Sequence, residues 1–252
     1  ESPRQDSVRY MAGLMNILSA CSMMRKGRFL YLSSQEVFGE SYIDNVGEDA
    51  PLSPRGFRAL ALAQGEETCA NYRRTQGTDT VILRPDHLYW VPEKGKKEDN
   101  PCFRMCLEAL KTGKISVNER NVFSMIYLND AVEQIYQLIC GESLEHSVYH
   151  ISSMEEIGEM EMAKLICEEL GSDIEIVDST VGAGNRLVLD GKRYTAGFDS
   201  KIFSHYDTGV KRVAQFMKRH SAAFLSEEAA WPSGPGTIPA ESSGRYSHIS
   251  RI

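Results

Sequence analysis

The sequence lacks several features that mark well-known classes of protein. No apolar run approaches the roughly 18 residues that a membrane span needs, and no charged-then-apolar leader opens the chain. No CxxC pair occurs among the six cysteines, which disfavours a zinc or dithiol redox site. The formal net charge is -7, whereas binding to nucleic acid needs a concentrated basic face. We therefore expect a cytoplasmic protein that has no metal site and no nucleic-acid or membrane partner.

A glycine-rich phosphate-binding turn is also missing from the sequence. Such a turn lets a pyrophosphate lie against the N-terminus of a helix, and neither GxGxxG nor GxxGxxG occurs in the 252 residues. The nearest candidate is VGAGNR at 181–186, which lacks a third glycine and follows no clear strand, so we interpret it as a loop. We do not expect these residues alone to bind a dinucleotide.

What the sequence does contain is a regular series of helical patterns. Apolar residues at helical spacing predict a helix from residue 6 to about 24, with Asp6 or Ser7 as its N-cap. Ser53-Pro54 is predicted to start a second helix, because proline is pre-set for a first turn. This helix is expected to end near Gly77.

Short apolar runs alternate with these helices. They are rich in β-branched and aromatic residues, which favours buried strands. The predicted strands are 28–34, 78–85 and 148–152, and the further helices are 103–112, 130–140 and 159–170. Alternation of strand and helix is typical of an α/β fold with a parallel sheet.

Five short motifs follow one another at compatible intervals. They are YMAGLMNIL at 10–18, SSQEVFG at 33–39, GEETCANY at 65–72, LRPDHLYWVP at 83–92 and FSMIYLND at 123–130. In order and spacing the series resembles the NAD-dependent epimerase/dehydratase family, the extended short-chain dehydrogenases that modify nucleotide sugars. In that family the first three strands and the glycine-rich turn precede the helix that opens this chain.

The resemblance implies a domain organisation and a set of partners. Residues 1–90, with contributions from 123–152, would form the remainder of a Rossmann-like parallel sheet. Residues 91–122 and 153–228 would form a smaller mixed α+β substrate domain, and the Pro/Gly/Ser-rich residues 229–252 a flexible tail. NAD is implied as cofactor and a nucleotide sugar as ligand.

A homodimer is also implied by the resemblance. In the family the helices that flank the SS strand form an intersubunit four-helix bundle, and their counterparts here are 7–24 and 54–75. Small apolar residues in the second of these helices permit a close approach of helices. We therefore expect these two helices to form a dimer interface.

The catalytic pair of the family is not found at its expected place. In the family a tyrosine transfers protons with a lysine four residues on, so both side chains stand on one helix face. Alignment on Glu66 and Tyr72 puts Arg58 at the tyrosine position and Leu62 at the lysine position, and a shift by one residue puts Ala59 and Ala63 there instead. Neither register restores the pair, and none of the eleven tyrosines has lysine at i+4. Arginine stays protonated and cannot act as the base. The sequence therefore predicts a degenerate catalytic centre.

Two residues remain as candidates for catalysis. Ser34 stands where the resemblance places the catalytic hydroxyl, and Glu36 could act as an acid or base at the same rim. The structural alternatives are that Ser34 bonds the backbone of the following loop and that Glu36 is solvated.

Three further residues are candidates for binding substrate. His87 follows a predicted strand, and ligands of open α/β sheets lie beyond the carboxyl ends of strands. Arg84 either serves the same site or anchors the strand end, and Arg58 either binds an anionic ligand or pairs with Glu66 or Glu67 on its own helix.

Three hypotheses on function remain open at this point. The first is a family member of nucleotide-sugar metabolism whose own catalytic centre is degenerate and which acts as a binding or partner subunit. The second is an active NAD-dependent enzyme whose cofactor-binding segment lies upstream of residue 1 and whose proton transfers use Ser34, Glu36 or His87. The third is a dinucleotide sensor without turnover.

Overall fold

The computed structural model describes residues 3–24, 27–39, 41–180, 182, 184–199 and 204–226. The helices are α1 (Pro3–Met24), α2 (Gly56–Gln76), α3 (Pro101–Thr112), α4 (Leu128–Cys140), α5 (Glu159–Leu170), α6 (Lys192–Gly197), α7 (Tyr206–Arg219) and α8 (Ser221–Leu225). The strands are β1 (Phe29–Leu32), β2 (Thr80–Pro85), β3 (His87–Tyr89), β4 (Lys114–Val117), β5 (Val122–Tyr127), β6 (Val148–Ile151), β7 (Glu156–Gly158), β8 (Glu175–Asp178) and β9 (Arg186–Leu187). These elements form two compact units.

The first unit is built on a parallel sheet in the order β1-β2-β6. It takes in the described residues within Glu1–Leu88, Glu119–Glu159 and Val181–Tyr206. All six residues of β2 are buried, as expected for a central parallel strand with both faces covered. The predicted α/β class with a parallel sheet is confirmed.

Helices cover both faces of this sheet. On one face α1 and α2 pack against Phe29, Tyr31 and Ile82. On the other face Leu30, Val81 and Leu83 pack with residues of α4 and α6. Since side chains of a strand alternate between faces, β1 contributes Phe29 and Tyr31 to one layer and Leu30 to the other.

The starts of the first two helices differ from the prediction. Helix α1 begins at Pro3, so Asp6 and Ser7 lie inside it and do not cap it. Helix α2 begins at Gly56 with Arg55 as N-cap, so Ser53-Pro54 lies before it. The positive φ of Gly56, 82°, explains the later start, because a backbone with this angle cannot continue a helix from Pro54. The end of α2 is as predicted, with Gly77 as a left-handed C-cap.

A second sheet of the first unit has the order β3-β5-β7, and β9 pairs in parallel with β5. The loop after β1 is joined to the segment after β9 by a parallel bridge between Val46 and Leu189. In this bridge the Val46 amide donates to the Val188 carbonyl at 2.8 Å. The loop that follows the SSQEVFG motif is therefore fixed to the body of the unit.

The second unit takes in the described residues within Tyr89–Asn118, Met160–Thr180 and Asp207–Ile252. Its strands β4 and β8 pair in parallel. Asn100 caps α3, since its side-chain oxygen accepts from the Phe103 amide at 2.9 Å, and Pro101 occupies the first turn. Phe103 packs edge-on against Phe224 of α8.

The domain boundaries given by the resemblance remain predictions, and the predicted tail 229–252 lies outside the described residues. Within the part of the chain that the structure describes, no helix has both the length and the apolar character that a bilayer crossing requires.

Candidate functional site

The candidate site lies at the carboxyl ends of the strands of the first sheet. Ser33 and Ser34 follow β1, Asp86 and His87 follow the last residue of β2, and Ser152 follows β6. In a parallel α/β sheet this edge is where ligands bind. The sequence therefore places hydroxyl, carboxyl and imidazole groups at the chemically useful end of the sheet.

A buried cluster of Ser33, Glu66 and Arg84 joins this edge to α2. The Arg84 guanidinium donates to both carboxylate oxygens of Glu66, with an Nη2 to Oε2 distance of 2.7 Å and an Nε to Oε1 distance of 3.1 Å. Ser33 Oγ donates to Glu66 Oε1. All three residues are buried, so the ion pair is shielded from solvent and both charges depend on each other.

Residue 58, which alignment on Glu66 and Tyr72 predicts to correspond to the family's tyrosine, forms an ion pair. Arg58 Nη1 contacts Glu36 Oε1, and both side chains are about half exposed. Arg58 therefore pairs with Glu36 and not with Glu66 or Glu67 on its own helix. Ser34 caps the short 3₁₀ helix Gln35–Val37, where its Oγ accepts from the Glu36 amide at 3.2 Å.

Leu62, which the same alignment predicts to correspond to the family's lysine, has an uncharged side chain. Its carbonyl accepts a hydrogen bond from the Tyr31 hydroxyl at 3.2 Å, and the Tyr31 hydroxyl also bonds that of Tyr10 on α1. Burial raises the pKa of both phenols, so neither is prepared to lose a proton at neutral pH. The phenol of Tyr31 fits because residue 65 is glycine, where a Cβ would lie 2.0 Å from its oxygen.

Glu48 fastens the loop 41–52 to the same edge. Its carbonyl accepts from Arg84 Nη1 at 2.9 Å, and its carboxylate accepts from the His150 amide at 3.3 Å. Arg193 Nε lies 3.7 Å from the same carboxylate. Burial raises the pKa of Glu48, and it lowers the pKa of His150 to about 3, so His150 is neutral.

Asp86 is the most perturbed carboxyl group at this edge. It accepts from Ser124 Oγ at 2.5 Å and from the Ser153 amide at 3.1 Å. Full burial raises the pKa of Asp86 to about 7, against the lowering effect of these hydrogen bonds. A carboxyl group that titrates near neutral pH can hold or release a proton there.

The predicted site residues do not form one group. Ser34, Glu36 and Arg58 come together, whereas Arg84 is engaged in the interior by Glu66 and Glu48. His87 is half-buried and packs edge-on against Phe123 at 5.8 Å between ring centroids. The contacts fit the anchoring interpretation of Arg84, and the catalytic and substrate-binding roles of all five residues stay predictions.

Sequence reasoning missed Glu48 and Asp86. Asp86 could have been found, because an acidic residue directly after a buried strand is unusual enough to examine. Glu48 gave no such signal, since it lies in a loop rich in Gly, Asp and Asn where charged residues are ordinary.

The geometry defines an α/β protein of the Rossmann-like class whose polar groups lie at the carboxyl edge of a parallel sheet. The profile of the "NAD dependent epimerase/dehydratase family" matches residues 2–161. The chain belongs to this family, as its motifs predicted.

Sequence similarity to described proteins supports this family assignment. Over 187 residues the chain is 27% identical to the low-salt glycan biosynthesis protein Agl12 of Haloferax volcanii, covering 73% of this chain and 60% of the relative. It is 26% identical to a dTDP-glucose 4,6-dehydratase of Streptomyces niveus over 66% of this chain and 48% of the relative. The chain thus spans between about half and three-fifths of the length of these relatives.

A solved structure shows the same fold. The dTDP-glucose 4,6-dehydratase of Bacillus anthracis in complex with NAD superposes with a TM-score of 0.72 at 18% identity. The match covers 83% of this chain and 68% of that chain. That structure contains NAD, whereas the sequence of this chain contains no glycine-rich turn that would hold the pyrophosphate of NAD.

Replacing Glu66 by glutamine should destabilise the protein by about 3–5 kcal/mol, because the buried Arg84 charge loses its counter-ion. The adjacent change Glu67→Gln is the matched control: Glu67 forms an exposed pair with Arg74 at 3.3 Å, and its loss should cost at most about 0.5 kcal/mol. Urea unfolding of both variants measures the difference. Equal losses would show that the buried pair does not hold α2 to the sheet.

Replacing Asp86 by asparagine should flatten the pH dependence of stability. The pKa of Asp86 is about 7 in the folded protein and about 3.9 when unfolded, so its protonation favours the fold below pH 4, and this stabilisation is lost as the pH rises to about 7. The free energy of unfolding of Asp86→Asn should exceed that of the wild type by an amount that grows across this pH range to at most about 4 kcal/mol.

The control for this prediction is Asp44→Asn, at an exposed loop residue. Thermal unfolding between pH 4 and pH 8 should show the wild-type profile for the control. A wild-type profile for Asp86→Asn as well would contradict a raised pKa at Asp86.

Proposed function

We propose that this protein is a member of the epimerase/dehydratase family of nucleotide-sugar metabolism that has lost its own proton relay and acts as a binding or partner subunit. The observation that carries the proposal is the Arg58–Glu36 ion pair at the position of the family's tyrosine. The buried Glu66–Arg84 pair fixes the register of α2 against the sheet, so Arg58 is held two helical turns away at the rim of the site.

The chemistry at these positions cannot replace the missing pair. A guanidinium stays protonated and accepts no proton, and the side chain of Leu62 carries no charge. The carboxylate of Glu36, which could serve as a base, is compensated by the Arg58 charge. A sugar nucleotide can still be bound at such an edge, because binding needs complementary polar groups and no proton transfer.

One observation favours the active-enzyme alternative. Ser34 Oγ and the carboxylate of Glu36 belong to one local structure at the carboxyl edge, so a hydroxyl and a carboxylate are available together. In that case the activity should depend on Glu36 and would need a dinucleotide site completed by other residues. A cytoplasmic location belongs to either proposal and remains a prediction.

The proposal predicts that the 252-residue protein, mixed with NAD and either dTDP-glucose or UDP-glucose, gives no product above background. Isothermal titration with the same sugar nucleotides tests binding separately. If product does form, falls by about 10²–10⁴ in Glu36→Gln and persists in the exposed control Glu93→Gln, then the enzyme alternative holds and the degenerate centre is refuted.

We also propose a homodimer through the helices at 7–24 and 54–75. Helices α1 and α2 pack side by side and expose apolar side chains that no other described element covers, among them Met15, Ile17 and Leu60. Large exposed apolar side chains on two neighbouring helices support this proposal.

The dimer proposal predicts that Ile17→Glu combined with Leu60→Glu weakens self-association at least about tenfold, because two charges would enter an apolar interface. Light scattering after gel filtration at micromolar concentration measures it. Leu225→Glu is the control, since Leu225 is an exposed leucine on α8. A wild-type protein that is monomeric at these concentrations would rule the dimer out.

A further inference from the structure

Asp86 lies where several segments of the first unit meet. It directly follows β2, and its carboxyl group accepts from Ser124 Oγ of β5 at 2.5 Å and from the Ser153 amide at 3.1 Å. Ser153 belongs to the four residues between β6 and β7, 152–155, which we call the strap. One buried carboxyl group therefore joins the first sheet, the second sheet and the strap.

The partners of Asp86 also hold the segment that follows β9. Ser124 Oγ accepts from the Leu189 amide at 3.2 Å, and Ser152 Oγ of the strap donates to the Leu189 carbonyl at 3.4 Å. The Leu189 peptide is thus bound on both sides by serines that lie beside Asp86.

This segment in turn holds the loop 41–52. Leu189 is bridged to Val46 of the loop, and the Val46 amide donates to the Val188 carbonyl at 2.8 Å. Glu48 of the same loop makes the contacts to the carboxyl edge of the sheet described above. A continuous series of hydrogen bonds therefore runs from Asp86 to the loop at the candidate site.

The strap has a strained backbone. Met154 has a φ of 60°, in the left-handed region that a residue with a Cβ rarely adopts. The conformation is held because the Met154 amide donates to Ser152 Oγ at 2.9 Å and the Ser153 hydroxyl donates to the Met125 carbonyl at 2.7 Å. Release of the strap would relieve this strain, so the bond from the Ser153 amide to Asp86 opposes a change that the backbone itself favours.

The carboxyl group of Asp86 is bonded to neutral groups. Its partners are serine hydroxyls and a backbone amide, which lower the cost of a buried charge but do not cancel it. Burial accordingly raises the pKa of Asp86 to about 7. Asp86 therefore gains or loses its charge close to neutral pH, where the ionised form is drawn toward water.

Other titratable groups lie on the elements packed against Asp86 and its partners, and they have contacts of their own. They are Arg84 with Glu66, His87 on the Phe123 ring, Tyr127 on β5, Asp130 with the Ser204 amide, His150 with the Asp190 carbonyl, Glu155 with His205, and Asp190 with Lys192. These groups stay titratable when Asp86 is made uncharged, so a variant at Asp86 separates its contribution to any pH response from theirs.

We propose that Asp86 is a proton-controlled latch on the candidate site. Its protonated form holds the strap and, through Leu189, the loop 41–52 against the body of the unit, and its ionised form lets both open. As a means of regulating what binds at this edge, the latch rests on the proposed function.

The direction of the pH response follows from the two environments of the carboxyl group. In the closed form Asp86 is buried and its pKa is about 7, whereas in the open form water reaches it and its pKa approaches about 3.9. Protonation therefore favours the closed form below about pH 4, and this preference is lost as the pH rises to about 7. A rise in pH across this range populates the open form.

Hydrogen–deuterium exchange of the 252-residue protein between pH 5 and pH 8 tests the latch. After correction for intrinsic exchange, protection of the Ser153, Leu189 and Val46 amides should fall by about 5- to 50-fold between pH 5 and pH 7. At pH 8 it should be lower than protection of the Ile82 amide, which is bonded in the core of the sheet. The Gly77 amide, at the C-cap of α2 and the other end of β2, should keep its protection.

Asp86→Asn should remove this fall at all three amides, because the side-chain amide keeps the shape of the carboxyl group and carries no charge. Asp44→Asn is the matched control, since it is the same change at an exposed residue of the loop 41–52, and it should keep the fall.

Ser124→Ala tests the path toward the loop. It removes the hydroxyl that links Asp86 to the Leu189 amide, whereas the bond from the Ser153 amide to Asp86 stays. The pH-dependent fall should therefore weaken at Leu189 more than at Ser153. An equal fall at both in this variant would refute the path.

Three outcomes would overturn the latch itself. The first is the wild-type pH response in Asp86→Asn, and the second is an equal fall at Gly77. The third is protection of Ser153 and Leu189 equal to that of Ile82 at pH 8, which would show that they open only with the whole fold. None of these readouts involves turnover or a sugar nucleotide, so failure here is distinguishable from failure of the proposed function.

Discussion

The buried ion pair between Glu66 and Arg84 is the constraint on which the site depends. Arg84 ends the central strand β2, Glu66 lies in the middle of α2, and Ser33 at the end of β1 bonds the same carboxylate. Because a buried charge must stay with its partner, α2 can neither slide nor rotate against the sheet. The pair thereby determines which residue of α2 reaches the carboxyl edge two turns earlier, and that residue is Arg58.

The same arginine also organises the loop after β1. Its third contact, to the Glu48 carbonyl, places the Glu48 carboxylate against the His150 amide at the end of β6. The ends of β1, β2 and β6 are thus linked through one guanidinium, which explains why a polar cluster is tolerated in the interior: its members satisfy one another's hydrogen bonds. A site at this edge is therefore held by the core of the unit and not by flexible loops.

The elements of the fold could be predicted from local patterns, whereas the contacts of the site could not. Helical spacing and β-branched runs placed α2, β2 and β6 within a few residues, because periodicity is a local property. The start of α2 was wrong, since the positive φ of Gly56 is not visible in a sequence where Pro54 already suggested a first turn. The pairing of Arg58 with Glu36 joins residues 22 apart through the packing of α2 on β1, and propensity carries no information on such a contact. The hydrogen bonds of the buried Asp86 likewise involve Ser124 and Ser153, which lie 38 and 67 residues away in the sequence.

On α2, the residue that anchors the helix to the sheet differs from the residue at the rim of the candidate site. Glu66 faces the interior, while Arg58 is half exposed at the rim, so a change at position 58 leaves the anchoring pair untouched. Residues at the exposed rim of the site can therefore vary while the buried cluster keeps the fold intact, so the fold alone does not determine the chemistry at this edge.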